Sequence, residues 1–449
     1  MPSTLRAPVA CGVDVGSTNT KVVALDPDGS VVARASRPTP RDPRRLSVDA
    51  RALLALVEDL VREACADRFA VHAVASAGVG EDGVLVDARL DPLTPALAWF
   101  DPRRQDVFAG LRPQLTDDAT FDAESDAFRT LVGWTWARGQ VAPGRAHRWV
   151  ALADLAGVLW SGDAFLSDTL ASRTGAWRSG DRRWASERVR LTLGDEGLLP
   201  PVVPTGTVVG PLRSAALAAS GVLADGAVVV AGGHDHPVGG WAADRVQPGA
   251  VLDSMGTAEV VVAQSPLPPS PPRAHVEVAP GIRSGGSTLL RVEELARNVE
   301  WAAGDRDVAA HLQAVMAGLS EPLPVLDEGW FVPGSRGGGA PSWAPGAPRD
   351  PAVRASAVLG ALAHLGRAAV EAVASRLTGG GAADPAPATL LAGGWVRSPG
   401  WVEIKARVGG ARATPLLEPE VTAAGAALLA ATARGWAPDP ATTLGLSRR

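Results

Sequence analysis

An α/β architecture in two related halves is expected of this 449-residue chain. β-prone runs alternate with amphipathic stretches in both halves, the pattern of helices layered on a sheet. Two remote segments also repeat one design: a β-prone run, a tight Gly-Ser or Gly-Thr turn, and a second β-prone run. The first reads Cys11-Gly12-Val13-Asp14-Val15-Gly16-Ser17-Thr18-Asn19-Thr20-Lys21 and continues into Val22-Val23-Ala24-Leu25. The second reads Asp253-Ser254-Met255-Gly256-Thr257-Ala258-Glu259 and continues into Val260-Val261-Val262. Such a turn offers backbone N–H groups and a hydroxyl to a phosphate, and its glycine puts no Cβ in the way. One phosphate hairpin per half implies a nucleotide gripped between two domains. Length agrees, because a chain of this size exceeds one ordinary core.

Strand signals occupy 9–35, with Asp26-Pro27-Asp28-Gly29 as a hairpin turn. A helix follows, with Ser47 as its N-cap and Leu53, Leu56, Val57, Leu60, Val61 and Ala64 as its apolar stripe. Residues 70–77 read as a buried strand and 84–86 as another. The Trp- and Arg-rich stretch 103–220 is expected to form helices and a small substrate-facing subdomain. Asp225-Gly226 turns into a core strand over 227–231 that ends at Gly232-Gly233-His234-Asp235-His236-Pro237. The domain boundary is placed within 240–249, giving an N-terminal unit 1–240 and a C-terminal unit 241–449. Beyond it, 265–273 and the region of 337–339 read as Pro- and Gly-rich loops. Asp350-Pro351 caps a long helix with Ala357, Val358, Ala361, Leu362, Leu365, Ala369 and Val373 on one side, stopping at Gly379-Gly380-Gly381. Strand 389–392 leads into Gly393-Gly394-Trp395-Val396-Arg397-Ser398-Pro399, where Ser398 caps a helix and Pro399 opens it. A last helix spans 419–434 and ends at Gly435.

Composition narrows the function classes. With 46% hydrophobic and 20% charged residues the chain is globular, and its apolar runs read as too short to span a bilayer. The first eight residues carry no apolar core of a secretory signal. Cys11 and Cys65 are the only cysteines; they make no disulfide framework and fit a reducing cytoplasm. A net charge of −5 argues against a nucleic-acid partner. Lys21 and Lys405 are the only lysines in an otherwise Arg-based chain, and Lys21 lies inside a candidate phosphate hairpin.

Several common sites are disfavoured. Neither lysine follows a glycine, so no P-loop exists. Gly78-Val79-Gly80-Glu81-Asp82-Gly83 matches G-x-G-x-x-G, but Val84-Leu85-Val86 continues it as a strand where a dinucleotide fingerprint needs a helix. His234 and His236 lack a third ligand motif and read as structural. Asp14, beside Ser17, Thr18 and Lys21, is placed to hold Mg²⁺, often through water. Asp235 ends a buried strand, where α/β proteins place site residues, and one carboxylate there can align a hydroxyl and take its proton. Gly393-Gly394 before a capped helix suits the flat adenosine.

Together these segments resemble the FGGY family of carbohydrate kinases, which share a duplicated actin-like ATPase (ribonuclease H-like) fold with a catalytic cleft between the domains. The resemblance also rests on Trp99-Phe100-Asp101-Pro102-Arg103, on Ser167-Asp168-Thr169-Leu170-Ala171-Ser172-Arg173-Thr174-Gly175 and on the closing helix. It implies Asp14 near Mg²⁺, and Ser17, Thr18, Asn19 and Lys21 near the β- and γ-phosphates of ATP. It implies Gly256 and Thr257 on phosphate, Gly394 and Ser398 on adenosine, and Asp235 as general base. Glu81, Trp99, Asp101, Arg103 and His236 match sugar-pocket positions. Gly285, with Gly286, is the expected ligand of the adenine side in the shortened stretch 280–348. Gly80 stands where an Arg commonly precedes the Glu, so room for a larger substrate is expected. The implied reaction is ATP-dependent phosphorylation of a free ketose or sugar alcohol of about five to seven carbons, by a cytoplasmic protein with a homodimer as one assembly. The alternative is a non-catalytic actin-like nucleotide- and sugar-binding regulator.

Overall fold

The computed structural model describes all residues except 1–5, 45, 117–119, 123, 274, 283–284, 336–338, 378–386, 410–412 and 447–449. The expected helix stop at Gly379-Gly380-Gly381 and the loop glycines Gly337 and Gly338 lie outside the described residues.

Two six-stranded sheets carry the fold. The first comprises β1 (Ala7–Val15), β2 (Asn19–Leu25), β3 (Val31–Pro38), β4 (Phe69–Gly78), β5 (Val208–Pro211) and β6 (Leu223–His234), in the order β5-β6-β4-β1-β2-β3. The second comprises β7 (Val251–Met255), β8 (Ala258–Ser265), β9 (Glu277–Pro280), β10 (Ser287–Glu294), β11 (Thr389–Ala392) and β12 (Ala413–Pro415), in the order β9-β10-β8-β7-β11-β12. Hairpin β1-β2 with antiparallel β3 and parallel β4 and β6 corresponds strand for strand to hairpin β7-β8 with β10, β11 and β12. The repeated sequence design is therefore a repeated topology.

Period-two alternation decides what covers each face of the first sheet. Val9, Cys11, Val13 and Val15 of β1 pack with α1 (Ala50–Cys65), while Ala10 faces the other core. Asp49, not Ser47, caps α1, its side chain accepting from the backbone N–H groups of Arg51 and Ala52. Ser47 is drawn into a two-residue strand against Leu97 instead.

Two helices exchange places between the halves. Helix α2 (Asp235–Val246) leaves β6 and lies on the second sheet, so that a Cβ on Gly240 would stand 2.8 Å from Val262. Residue 240 thus falls inside a helix. Helix α3 (Pro351–Leu377), capped by Asp350, and helix α4 (Pro399–Gly409) follow in the second half. Helix α5 (Val421–Ala433) leaves β12 and lies on β1 and β4. Its Ala-rich surface meets Ala10, Gly12, Ala73, Ala75 and Ala77, and small residues on both sides allow a close approach. A Cβ on Gly12 would lie 1.9 Å from the Ala423 carbonyl oxygen and 2.2 Å from the Ala427 nitrogen. Gly12→Ala is therefore expected to destabilise the fold by about 1–3 kcal/mol or more, read as a lower midpoint in denaturant unfolding.

Contrary to the reading that no run could span a bilayer, α3 is long and apolar enough to do so by length and composition. Half of its most apolar window is buried, and Val358, Leu359, Leu362, Ala369 and Val373 pack into the second half's cores.

Candidate active site

The loops that carry chemistry leave the carboxyl ends of parallel strands in both sheets, where open α/β sheets place ligands. β1 ends in the first hairpin turn, closed by the Gly16 N–H donating to the Asn19 carbonyl at 3.1 Å. β7 ends in the second, closed by the Gly256 N–H on the Ala258 carbonyl at 2.9 Å. β6 ends at His234 and delivers Asp235 as the first residue of α2. β11 runs out into Gly393, whose φ of +88° and a Cβ clash of 2.2 Å with the Met255 carbonyl require glycine there. Gly393-Gly394 therefore lies against the base of the second hairpin.

A cavity of about 530 Å³ opens between the halves. Ser17, Glu81, Trp99, Asp235 and His236 line it from the first half, and Gly256 and Thr257 from the second. The Trp99 indole N–H donates to Ser17 Oγ at 2.8 Å, tying the sugar-pocket candidate to the first hairpin. Asp14 and Lys21 stand beside each other on paired strands, 3.8 Å apart, and Lys21 also holds Glu420 at 2.5 Å. Other expected residues stand outside the lining. Asp101 is buried and takes the guanidinium of Arg103, which starts a helix at Arg103–Leu111, so both pin the loop that carries Trp99. Thr18 and Asn19 lie on the hairpin itself, and Gly394 and Ser398 precede α4. Gly285 does not match its expected place. It sits exposed, with φ +71°, in the turn between β9 and β10, at the opposite end of β10 from the cavity residues Glu293 and Glu294. Its glycine serves the reversal of the chain, and an adenine contact there is not supported.

Electrostatics distinguish the carboxylates. Burial pushes Asp235 up to about 7, opposed by the His236 backbone N–H, which donates to Oδ1 at 2.7 Å. Burial likewise pushes Asp14 up to about 7 against the pull of Lys21. His234 Nε2 stands 3.1 Å from Asp235 Oδ1, and His236 Nε2 stands 3.6 Å from the same oxygen. Burial, then Arg173, push His234 well below the ordinary histidine value, so its ring is neutral. His234 Nδ1 is buried without a partner among the described residues, and the hydrogen bond that holds Asp235 Oδ1 is the one from the His236 backbone N–H. Although the three side chains come within 4.8 Å of one another, the geometry is that of a hydrogen-bonded, oriented carboxylate.

Under the second hairpin lies a buried ionic cluster. Lys405 of α4 holds Asp253 of β7 at 2.7 Å and Glu259 of β8 at 2.5 Å. It joins the incoming and outgoing limbs of the turn that presents Thr257. Gly366 of α3 makes the space, since a Cβ there would stand 1.9 Å from Glu259 Oε1.

Residues 9–240, about half of the chain, match the N-terminal domain of the FGGY family of carbohydrate kinases. The chain belongs to this family. An L-fuculokinase from Escherichia coli is 26% identical over 275 residues, covering 58% of this chain and 57% of that enzyme. A xylulose kinase from Streptomyces coelicolor is 28% identical over 291 residues, covering 61% and 58%. The matched span thus takes in less than two thirds of these relatives' length. A crystal structure of xylulose kinase from Rhodospirillum rubrum superposes with a TM-score of 0.80 at 22% identity, covering 97% of this chain and 92% of that one, which shows the shared two-domain fold.

Several cavity residues of this FGGY chain carried no signal along the sequence. Arg173 lies within a quoted motif, yet nothing in its spacing says that it reaches Glu81. Glu293, Glu294 and Arg297 enter from the end of β10 and the helix after it, a stretch where only glycines drew notice. His234 was legible as a strand-end histidine, but not as a buried, neutral ring 3.1 Å from Asp235.

Proposed function

We propose that this chain is an ATP-dependent carbohydrate kinase that phosphorylates a hydroxyl of a free ketose or sugar alcohol. The observation that carries the reading is the convergence of Ser17, Glu81, Trp99 and Asp235 from one half with Gly256 and Thr257 from the other on a single cavity. Units 1–240 and 241–449 supply the two walls.

In this reading Asp235 accepts the proton of the attacking hydroxyl, and the His236 backbone N–H, donating to Oδ1, keeps the carboxylate aimed at it. Glu81 and Trp99 orient the sugar. The two hairpins hold the phosphates through backbone N–H groups and the hydroxyls of Ser17, Thr18 and Thr257, with Asn19 and Lys21 alongside. Gly394 and Ser398 face the adenosine. Asp14 suits Mg²⁺, a hard cation that takes carboxylate oxygen, because its carboxyl is buried and its ion pair with Lys21 is long, at 3.8 Å. Bound there, the ion would neutralise charge on the transferring phosphates. Closure of the halves would exclude water from the transfer. The two unbonded, buried cysteines fit a cytoplasmic setting.

Incubation with ATP, Mg²⁺ and a panel of ketoses and polyols, read by ADP release and the mass of the product, tests the proposal. ATP hydrolysis without a phosphosugar would instead favour a nucleotide-binding regulator. The pH dependence has a defined sign. The base acts deprotonated and burial raises its pKa to about 7, so kcat/KM for the sugar is expected to climb about tenfold per pH unit below that point and to level off above it. An acid limb centred near the ordinary aspartate range, about 4, would speak against Asp235 as the titrating base.

A further inference from the structure

Gly80 does not leave the room that its missing side chain suggests. A Cβ at that position would lie 2.7 Å from Arg173 Cγ and 2.8 Å from His234 Cδ2. The space is taken by Arg173, which arrives from the short turn Ser172–Thr174, more than ninety residues further along the chain, and lines the cavity while almost fully buried. Its Nε and Nη2 donate to Glu81 Oε1 at 2.9 and 2.6 Å. Its Nη1 donates to Glu277 of β9, which belongs to the other half and is also held by Arg129. Burial pushes Glu277 up, but Arg129 and Arg173 outweigh it and keep the carboxyl below its ordinary range. The backbone supports the same contact, since the Val278 N–H donates to the Asp122 carbonyl at 3.1 Å across the two halves.

We infer that Arg173 is a substrate-reading residue of this pocket, and that Glu277 of the opposite half is the positioning residue that holds it there. The inference rests on the kinase reading above and adds a residue pair to it. A guanidinium has five N–H donors in a fixed fork, and the bonds to Glu81 and Glu277 use three of them. The remaining two stand next to a carboxylate that accepts. A donor and an acceptor side by side suit two adjacent hydroxyls, one oxygen receiving from Arg173 while the neighbouring O–H donates to Glu81. The substrate class is therefore a neutral chain with a vicinal diol; a sugar acid would set its carboxylate beside Glu81 and Asp235. Because Glu277 comes from the second half, the sugar subsite is complete only when the halves are apposed.

The test compares wild type with Gly80→Ala, Glu277→Gln and Arg173→Lys, each first checked by thermal unfolding. Gly80→Ala keeps every charge while pressing on Arg173 and on the His234 ring, so, read together with Glu277→Gln, which leaves His234 untouched, it remains informative if the arginine variant does not fold. Loss or displacement of a charged hydrogen bond corresponds to about a 10- to 100-fold rise in KM for the sugar, with KM for ATP changed less than about threefold on the same grounds. Lysine is expected not to rescue, since its donors sit at one point, whereas the guanidinium spreads them over a planar fork that reaches Glu81 through Nε and Nη2 and Glu277 through Nη1. Unchanged sugar KM in both Gly80→Ala and Glu277→Gln would overturn the inference while leaving a wild-type kinase intact. Equal rises in the KM values for sugar and ATP would also overturn it, by showing a general distortion of the cleft. A wild-type protein that phosphorylates no ketose or polyol would refute the underlying kinase reading, a result separate from either.

Discussion

Asp235→Asn is expected to lower kcat by ~10²–10⁴-fold, the range lost when a positioned general base is removed, with KM for ATP little changed. Asparagine keeps the size of the side chain and an oxygen that can accept from the His236 backbone N–H, so orientation survives while proton acceptance does not. Two of its neighbours are already committed. His234 is buried, and burial and then Arg173 hold its ring neutral, with a pKa well below the ordinary histidine value. Glu81 is engaged by Arg173. Thermal stability is expected to stay level or rise, because a carboxylate that burial drives up to about 7 is replaced by a neutral group. The acid limb of the pH profile should vanish from whatever activity remains. A variant with near-normal kcat would remove Asp235 from the chemistry.

Lys405→Met should cost about 3–5 kcal/mol of stability, the usual penalty for leaving buried charges without their partner. Asp253 and Glu259 are both fully buried, and the ammonium is the cation that joins them. Burial and the adjacent Asp253 already hold Glu259 above the ordinary carboxylate range, with Lys405 pulling it down. Removing that pull raises the folded-state pKa further above the unfolded value. The folded protein then binds more protons than the unfolded chain, so stability falls as pH rises. The deficit is therefore expected to be larger at pH 8 than at pH 6, measured by denaturant unfolding at both. A deficit independent of pH would indicate lost packing rather than stranded charge. Looser presentation of Thr257 would accompany the loss, raising KM for ATP.

Much of this site was legible because its residues break an apolar pattern. Asp14, Ser17, Gly256, Thr257 and Asp235 interrupt strands otherwise made of Val, Ala and Leu, and a polar residue or glycine at a strand end needs a reason that packing does not supply. The duplicated topology was visible for the same reason, through hairpins with matching turns. What stayed hidden depends on contacts between distant segments. Arg173 meets Glu277 across 104 positions, and no local periodicity encodes that meeting. Gly80 was read with the opposite sign: a missing side chain suggests space, whereas the structure fills it from elsewhere. Gly285 shows the same limit, since a glycine serving a hairpin reversal and one serving a ligand look alike in one dimension. The N-cap of α1 was displaced by two residues because Ser47 and Asp49 are both competent caps, and pairing with Leu97 claimed the serine.

The crossing of α2 and α5 has a consequence for how such a molecule can be divided or inherited. Each sheet borrows one of its two covers from the far side of the chain, and the borrowed helices touch each other where a Cβ on Gly425 would press within 2.9 Å of the Val238 carbonyl oxygen. A fragment cut at residue 240 would keep a sheet stripped of α5 and half a helix with no floor to rest on. Neither piece is expected to fold as a free-standing gene product. The two repeated halves are therefore expected to fold as one unit, fastened along this shared seam of alanine and glycine.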